Sequence, residues 1–186
     1  MFTYSLDEQS YLKMLEPEDA SELFLLTWNS MERLKKWLPL IGNNRRQEDT
    51  EAFIKSSLLQ LSENNGFQAG IWHQDKIGGV IGFHFVNWYN RTTSIGYWIG
   101  DGFEGKGLMT KACRAMVQHA FETWQLNRVE IRAAEENKKS RALPEKLGFT
   151  QEGKIRQAEL LQREYVDHIV YGLLLEDWKK QKHQNN

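Results

Sequence analysis

The chain has 186 residues, 40% of them hydrophobic, which is enough for one sizeable core and too little for two ordinary domains. Its formal net charge is −1, from 24 basic and 25 acidic residues, so no direct nucleic-acid binding is expected. Cys113 is the only cysteine, which excludes an intrachain disulfide and favours a reducing compartment. We therefore predict a single domain over residues 1–186.

The start of the chain bears on its location. Met1–Glu8 lacks the basic and apolar regions of a signal peptide. No apolar run reaches the length of about 18 residues that a spanning helix needs. The sequence thus predicts a cytoplasmic protein with no membrane partner, and it leaves both a monomer and a homo-oligomer open.

The first third of the chain predicts a strand and two helices. Tyr11–Leu15 is typical of a short strand, and Pro17 suits the first turn of a helix because no N–H is needed there. A second helix is predicted after an N-cap at Asp49 or Thr50. Its expected buried stripe consists of Phe53, Ile54, Leu58 and Leu61.

The middle of the chain changes to a strand pattern. Three segments rich in β-branched and aromatic residues, Phe67–His73, Gly79–Val86 and Thr92–Ile99, are separated by turn residues. They predict a three-stranded antiparallel meander. After Gly107 an apolar stripe of helical period continues to about Trp124.

The last third alternates between the two kinds of element. A strand is predicted at Arg128–Ala134, and a helix at Lys139–Leu147 is ended by Gly148. Two more strands are predicted at Phe149–Gln157 and Tyr165–Leu175. The polar tail from about Lys179 is expected to fray. This order of elements predicts the α+β class.

A glycine-rich turn lies between a predicted strand and a predicted helix, at Gly100, Gly102, Gly105 and Gly107. Glycines let the backbone approach a ligand closely, and the unpaired N–H groups of a first helical turn attract an anion. The pattern favours a phosphate or pyrophosphate site. A tight connection without a ligand is the alternative.

Two nucleotide motifs fit these glycines incompletely. Gly100, Gly102 and Gly105 spell the dinucleotide fingerprint, but that fold needs parallel strands and an acidic residue about 20 positions on, and Glu135 comes too late. A Walker A loop would need Ser or Thr, for magnesium, where Gly107 stands. Both motifs are therefore disfavoured.

A third pattern covers the turn and the segments after it. WIGDGFEGKGLMTKA (98–112) and RVEIRAAEENKKSRALPEKLGF (128–149) resemble the acetyl-CoA core of the GNAT superfamily, in particular the branch that acetylates N-terminal amines of ribosomal proteins. The resemblance implies the GNAT fold, a mixed and mostly antiparallel sheet flanked by helices, with acetyl-CoA as co-substrate and no metal. In the family pattern Gln/Arg-x-x-Gly-x-Gly/Ala, Gly105 and Gly107 fill the small positions, whereas Gly102 replaces the polar first residue. The residues thereby assigned to the pyrophosphate are Phe103, Glu104, Gly105, Lys106, Gly107 and Leu108.

Acetyl transfer requires a neutral amine, a stabilised oxyanion and a departing thiolate. The resemblance assigns CoA binding to Asn137 and hydrogen bonding of the thiolate to Ser140, as in the family's Asn-x-x-Ser. It places the oxyanion donor near Ile99 and the proposed base at Glu159. The alternatives are helix capping for Asn137 and Ser140, and a solvated strand-end carboxylate for Glu159.

Three further residues bear on which side chain could donate a proton or hydrogen bond to the departing thiolate. Pro144 removes a helical hydrogen bond to the Ser140 carbonyl, which predicts either a late helix start or a loosened turn that leaves Ser140 facing the thioester. Tyr165 and Tyr171 lie on the last predicted strand, where some GNAT enzymes keep a tyrosine acid. The histidines show no ligand spacing, so a metal is not expected.

The sequence thus predicts an N-acetyltransferase that works by direct attack of a primary amine in a ternary complex. A protein N-terminus, preferably a ribosomal one, is the expected acceptor, with Trp37 and Trp88 walling its groove. A small amine such as a polyamine or aminoglycoside is the alternative and would need an acid-lined pocket; the early acidic cluster is Glu48, Asp49 and Glu51. A non-catalytic CoA-binding module is a third possibility.

Overall fold

The computed structural model describes residues 3–39 and 41–184. Its strands are β1 (Thr3–Ser5), β2 (Ser10–Met14), β3 (Gln68–His73), β4 (Lys76–Asn87), β5 (Thr92–Ile99), β6 (Arg128–Ala134), β7 (Thr150–Leu161) and β8 (Glu164–Leu174). Its helices are α1 (Ala20–Asn29), α2 (Met31–Leu34), α3 (Gln47–Ser62), α4 (Leu108–Gln118), α5 (Lys138–Lys146) and α6 (Leu175–Gln184). Short 3₁₀ turns lie at Pro17–Asp19 and Ile41–Asn43, and a π-helical segment, His119–Thr123, continues α4.

The described strands form one sheet in the order β1-β2-β3-β4-β5-β6-β8-β7. The expected meander is confirmed, because β3–β4 and β4–β5 pair antiparallel. Helix α4 connects β5 to β6, which lie parallel. The sheet is therefore mixed and mostly antiparallel, as predicted.

The parallel pair β5–β6 separates soon after it begins. Its register runs from Thr92 opposite Arg128 to Ser94 opposite Glu130. Beyond this point β5 stays paired with β4 as far as Ile99, and β6 stays paired with β8 as far as Ala134. A gap therefore opens in the middle of the sheet.

Helix α4 packs the main core against the sheet beside this gap. The side chains of Leu108, Ala112, Cys113 and Met116 are buried, as their helical spacing predicts. Burial raises the pKa of the Cys113 thiol to about 12, so it stays protonated and serves as a packing residue. The end of the glycine turn is thus fixed to the core.

The predicted stripe of α3 is only partly correct. Ile54 is buried, but Phe53 and Leu61 are exposed, because the buried face is completed by the small polar residues Thr50 and Ser57 at positions four before and three after Ile54. A stripe defined by apolar residues alone misses such a face.

The start of α3 also differs from the prediction. The helix begins at Gln47, and the Asp49 carboxylate accepts a hydrogen bond from the backbone N–H of Arg46 at 2.9 Å. Asp49 therefore stabilises the first turn from inside the helix and is not the N-cap.

The predicted frayed tail is helical as far as it is described. Helix α6 continues to Gln184, because Trp178 packs on Phe121 and Lys182 pairs with Glu122 at 2.7 Å. Asn185 and Asn186 lie outside the described residues. Within those residues, no helix has the length and apolar character needed to cross a bilayer.

The close approach of β4 and β5 beside the gap gives a first prediction. A Cβ at Gly79 would overlap the carbonyl oxygen of Trp98 and lie 3.0 Å from the Ile99 Cα, so the backbone of β5 must shift. We expect Gly79→Ala to lower the free energy of unfolding by about 1–3 kcal/mol, measured by denaturant titration. The control is Gly153→Ala in β7, where the added carbon meets nothing within 4 Å among the described residues. Equal stability of the two variants would contradict this packing.

Candidate active site

A cavity of about 980 Å³ occupies the gap between β5 and β6. The predicted site residues that line it are Ile99, Glu104, Asn137, Ser140 and Glu159. The other predicted residues, Phe103, Gly105, Lys106, Gly107 and Leu108, belong to the adjoining turn and the start of α4. Segments far apart in the sequence therefore meet at one cavity.

The glycine turn has the backbone that its composition predicts. Gly102, Gly105 and Gly107 have φ angles of 84°, 73° and 72°, in the left-handed region that favours glycine. The Gly107 carbonyl accepts from the Lys111 N–H at 3.1 Å, which opens α4. The N–H groups of Leu108 and the two residues after it precede this first bond and have no acceptor within the helix.

Phe103 and Glu104 have structural partners that the sequence did not indicate. The Phe103 N–H donates to the Gly100 carbonyl at 3.2 Å, and its ring covers Gly78. Phe103 therefore stabilises the fold of the turn. Its amide was predicted to bind the pyrophosphate, but it is already hydrogen-bonded within the turn and is not available to an anion. The Glu104 carboxylate lies 3.5 Å from the Arg33 Nε and 3.6 Å from the Lys139 Nζ, so it links the turn to α2 and α5.

Asn137 caps the helix that carries Ser140. Its side-chain oxygen accepts from the Ser140 N–H at 3.2 Å, and α5 begins at the next residue, Lys138. The capping role considered for Asn137 is therefore present. It places the Ser140 side chain at the cavity wall, so capping here also positions a site residue.

Pro144 lies inside α5, so a late helix start is wrong. Proline has no N–H to donate to the carbonyl four residues back, which is Ser140. The Tyr97 hydroxyl donates to that carbonyl instead, at 3.0 Å, and the Ser140 hydroxyl lies 3.4 Å from the same Tyr97 oxygen. Tyr97 on β5 thus holds the loosened turn of α5 across the cavity.

Tyr97 is the main site residue that sequence reasoning missed. Burial, with a smaller contribution from Cys113, raises the pKa of Tyr97, so its hydroxyl remains a neutral donor at physiological pH. The signal that could have found it is strand alternation: Tyr97 precedes Ile99 by two residues and therefore shares its face of β5.

Glu159 reaches the cavity through an irregularity in the hairpin of β7 and β8. Ile155 pairs with His168 and Glu159 pairs with Val166, so β7 spans four positions where β8 spans two. Gln157, between them, has a φ of 49°, and its N–H donates to the Asp167 carboxylate at 2.8 Å. This bulge turns Glu159 toward the cavity.

The Glu159 carboxylate is hydrogen-bonded inside the cavity. Its Oε2 lies 2.9 Å from the Nε2 of His168, and the two side chains are 30% and 17% exposed. Glu159 is therefore not merely a solvated strand-end charge. His168 is a second cavity residue that the sequence did not single out.

The two tyrosines considered as alternative acids lie elsewhere. Tyr165 is 65% exposed near the start of β8. Tyr171 is buried, and its hydroxyl donates to the Glu145 carboxylate at 2.7 Å and accepts from the Arg141 Nε at 2.9 Å. Neither is among the described residues that line the cavity.

His84 on β4 and Arg132 on β6 also line the cavity. The His84 Nδ1 is 3.0 Å from the Ser94 hydroxyl. Burial and, second, the charge of Arg132 lower the pKa of His84, so its imidazole is neutral near pH 7.

Of the two tryptophans predicted to wall the acceptor groove, Trp37 lines the cavity. Trp88 is not in the described lining and packs on Trp124 instead.

The cavity wall is more basic than acidic. Its carboxylates are Glu104, Glu136 and Glu159, and its basic side chains are Arg33, Lys36, Arg132, Lys138, Lys139 and Lys146. The early cluster of Glu48, Asp49 and Glu51 is not in the described lining. Within the described ranges, no group of three or more His, Cys, Asp or Glu residues could hold a metal ion.

The sequence is similar to known acetyltransferases along nearly its whole length. Residues 10–150 match the family described as Acetyltransferase (GNAT) domain. The Bacillus subtilis (strain 168) protein named "Putative ribosomal N-acetyltransferase YdaF" is 40% identical over 98% of this chain and 100% of its own length. The Escherichia coli (strain K12) "Ribosomal-protein-serine acetyltransferase" is 28% identical over 94% of this chain and 97% of its own.

A solved structure gives the same result. The microcin C7 self immunity acetyltransferase MccE, in complex with acetyl-CoA and AMP, has a TM-score of 0.88 and 28% identity, covering 91% of this chain and 94% of that chain. With the family match, this similarity confirms the predicted fold. The chain belongs to the GNAT family of acetyl-CoA-dependent N-acetyltransferases.

Proposed function

We propose that this enzyme transfers the acetyl group of acetyl-CoA to the N-terminal α-amine of a protein, by direct attack in a ternary complex. The observation that carries the proposal is that Ser140 and the Glu159–His168 pair line one cavity from different elements. Relatives named for ribosomal-protein acetylation support a ribosomal protein as the acceptor.

Acetyl-CoA is proposed to enter along the glycine turn and the open edge of β5. The pyrophosphate would bind the amides from Glu104 to Leu108, where the α4 dipole favours an anion. Asn137 would contact the pantetheine arm near the end of β6. The similarity to a protein solved with acetyl-CoA supports this assignment.

Ile99 is proposed to supply the N–H that meets the oxyanion. The Gly100 N–H donates to the Gly78 carbonyl at 2.8 Å, and bonded and non-bonded pairs alternate along antiparallel strands. The next pair, Gly79 with Ile99, therefore directs the Ile99 amide away from β4 and toward the gap. The Ile99 carbonyl, on the same side, accepts from the Arg33 Nη2 at 2.7 Å.

Ser140 is proposed to hydrogen-bond the departing thiolate. Its hydroxyl lies 3.4 Å from the Tyr97 oxygen, which is long for an O–H···O bond, so little is lost when it turns to the sulfur. The bond between Tyr97 and the Ser140 carbonyl keeps the turn in place meanwhile. A thiol has a pKa near 8.5, so such a donor assists its departure near neutral pH.

The base is proposed to act from the hydrogen-bonded pair of Glu159 and His168. A free α-amine has a pKa of about 7.7–8.0, so only part of it is neutral at pH 7, and a proton must leave the nitrogen after attack.

A polyamine acceptor is less well supported, because a polycation would meet a cavity wall with an excess of basic side chains.

Cofactor binding gives a second prediction. A valine at Gly107 would place a side chain in the proposed pyrophosphate cradle, so acetyl-CoA affinity should fall at least about tenfold, equal to about 1.4 kcal/mol, by calorimetry. The control is Gly102→Val, whose φ of 84° is as unfavourable for valine and which also has open space. If both folded variants lose the same affinity, backbone strain is responsible and the cradle is elsewhere.

The thiolate donor gives a third prediction. Ser140→Ala removes a contact made mainly in the transition state, so kcat should fall by about 10- to 1000-fold with little change in acetyl-CoA affinity. Tyr97→Phe keeps the Ser140 hydroxyl but removes its anchor, so the loss should be smaller. A loss of acetyl-CoA affinity alone in Ser140→Ala would reduce Ser140 to a binding or capping role.

The acceptor gives a fourth prediction. We expect CoA release with peptides that have a free N-terminus, and mass spectrometry should place the acetyl group on the α-amine. N-terminally blocked versions of the same peptides are the matched controls, and polyamines and aminoglycosides are the comparison set. Faster turnover of a polyamine or aminoglycoside would overturn the protein acceptor. Absence of CoA release with every amine would favour a non-catalytic CoA-binding module.

A further inference from the structure

Resting on the proposed transfer, we propose that His168 is the group that accepts the amine proton and that Glu159 positions its imidazole. The hydrogen bond between the His168 Nε2 and the Glu159 Oε2, at 2.9 Å, joins two side chains that both line the cavity. Their separation in the sequence and the bulge of β7 hide this pair from a linear pattern.

The hydrogen bond fixes which nitrogen can act. A carboxylate only accepts, so the His168 Nε2 must carry the hydrogen. In the neutral ring the other nitrogen, Nδ1, then holds a lone pair and can take a proton. A carboxylate that orients an imidazole through one ring nitrogen and leaves the other free to take a proton is the arrangement of acid–base triads.

The chemistry favours an imidazole over a carboxylate as the acceptor. Proton transfer is most efficient when the base has a pKa near the working pH, and reference values are about 6.5 for imidazole and about 4.3 for a glutamate carboxyl. Glu159 also has one oxygen engaged by His168. The pair can therefore take a proton at the imidazole while the carboxylate stabilises the resulting cation.

The charged groups around His168 come from three strands. Glu159 faces it from β7. Arg132 lies on the same face of β6, and Glu136 follows the end of that strand. His84 on β4 lines the opposite wall of the cavity. Ala134 and Ile155, the direct cross-strand partners of His168, carry no charge. Among the described residues, Glu159 is thus the charged side chain that hydrogen-bonds the imidazole.

Acetyl transfer forms one C–N bond and breaks one C–S bond. The neutral amine forms the new C–N bond to the acetyl carbon, and its surplus proton moves to the His168 Nδ1. The C–S bond then breaks, and CoA leaves as a thiolate with the hydrogen bond of Ser140. The imidazolium releases its proton to solvent, which also protonates the thiolate.

Two substitutions separate the roles. His168→Gln keeps a donor for Glu159 but has no basic nitrogen, so kcat should fall by about 10²- to 10⁴-fold, and the remaining rate should rise only as the amine deprotonates above about pH 8. Glu159→Gln keeps an oxygen that can accept from Nε2, so the loss should be smaller. His73→Gln, which removes a histidine bonded to the Ser10 hydroxyl outside the cavity, is the matched control.

The test is the pH dependence of kcat from pH 5.5 to 9.5, with whichever amine the parent protein acetylates. A larger loss in Glu159→Gln than in His168→Gln would make Glu159 itself the base and overturn the proposal. The fall of kcat at low pH reports protonation of the base. If this fall disappears in His84→Gln and persists in His168→Gln, His84 is the base and the proposal is overturned. Failure with peptides but turnover of a small amine would refute only the proposed acceptor.

The tautomer of His168 can be measured without any acetyl transfer, so this test also applies if no acceptor amine is found. Nitrogen-15 NMR of the labelled protein should show the neutral His168 ring protonated at Nε2, and Glu159→Ala should weaken this preference. A neutral ring protonated at Nδ1 in the parent protein would overturn the proposal, whatever the activity.

Discussion

The separation of β5 from β6 is the constraint on which the rest of the site depends. Each strand keeps its outer partner, β4 or β8, while the parallel pairing between them ends at Ser94 and Glu130. Backbone groups on the open edge of β5 then need other partners, since an unpaired buried polar group costs about 1–3 kcal/mol. Arg33 supplies one to the Ile99 carbonyl. A substrate that lies in the gap can supply others.

The two sides of the gap are connected through helix α5. Pro144 leaves the Ser140 carbonyl without its helical donor, and Tyr97 replaces that donor from β5. The cost of an interior proline is thereby offset by a tertiary hydrogen bond that also fixes Ser140. A feature that looks unfavourable in the sequence thus explains how a hydroxyl is held at the cavity wall.

Much of the frame could be predicted from local pattern. Strands Thr92–Ile99 and Arg128–Ala134 lie where alternation placed them, and the turn between them requires the glycines that the sequence provides. Tyr97 and His168 were missed because their roles arise from contacts between elements: Tyr97 bonds Ser140 in α5, and His168 bonds Glu159 on the neighbouring strand β7. The helix at Leu175–Gln184 was missed because tertiary packing of Trp178, not local composition, stabilises it.

The central claim is that acetyl transfer takes place in the gap between β5 and β6, with Ser140 beside the sulfur. A crystal structure of the enzyme with CoA tests it most directly. We predict the CoA sulfur within hydrogen-bonding distance of the Ser140 Oγ, on the side of the gap that faces His168. A sulfur bound outside the gap, away from both Ser140 and His168, would contradict the claim.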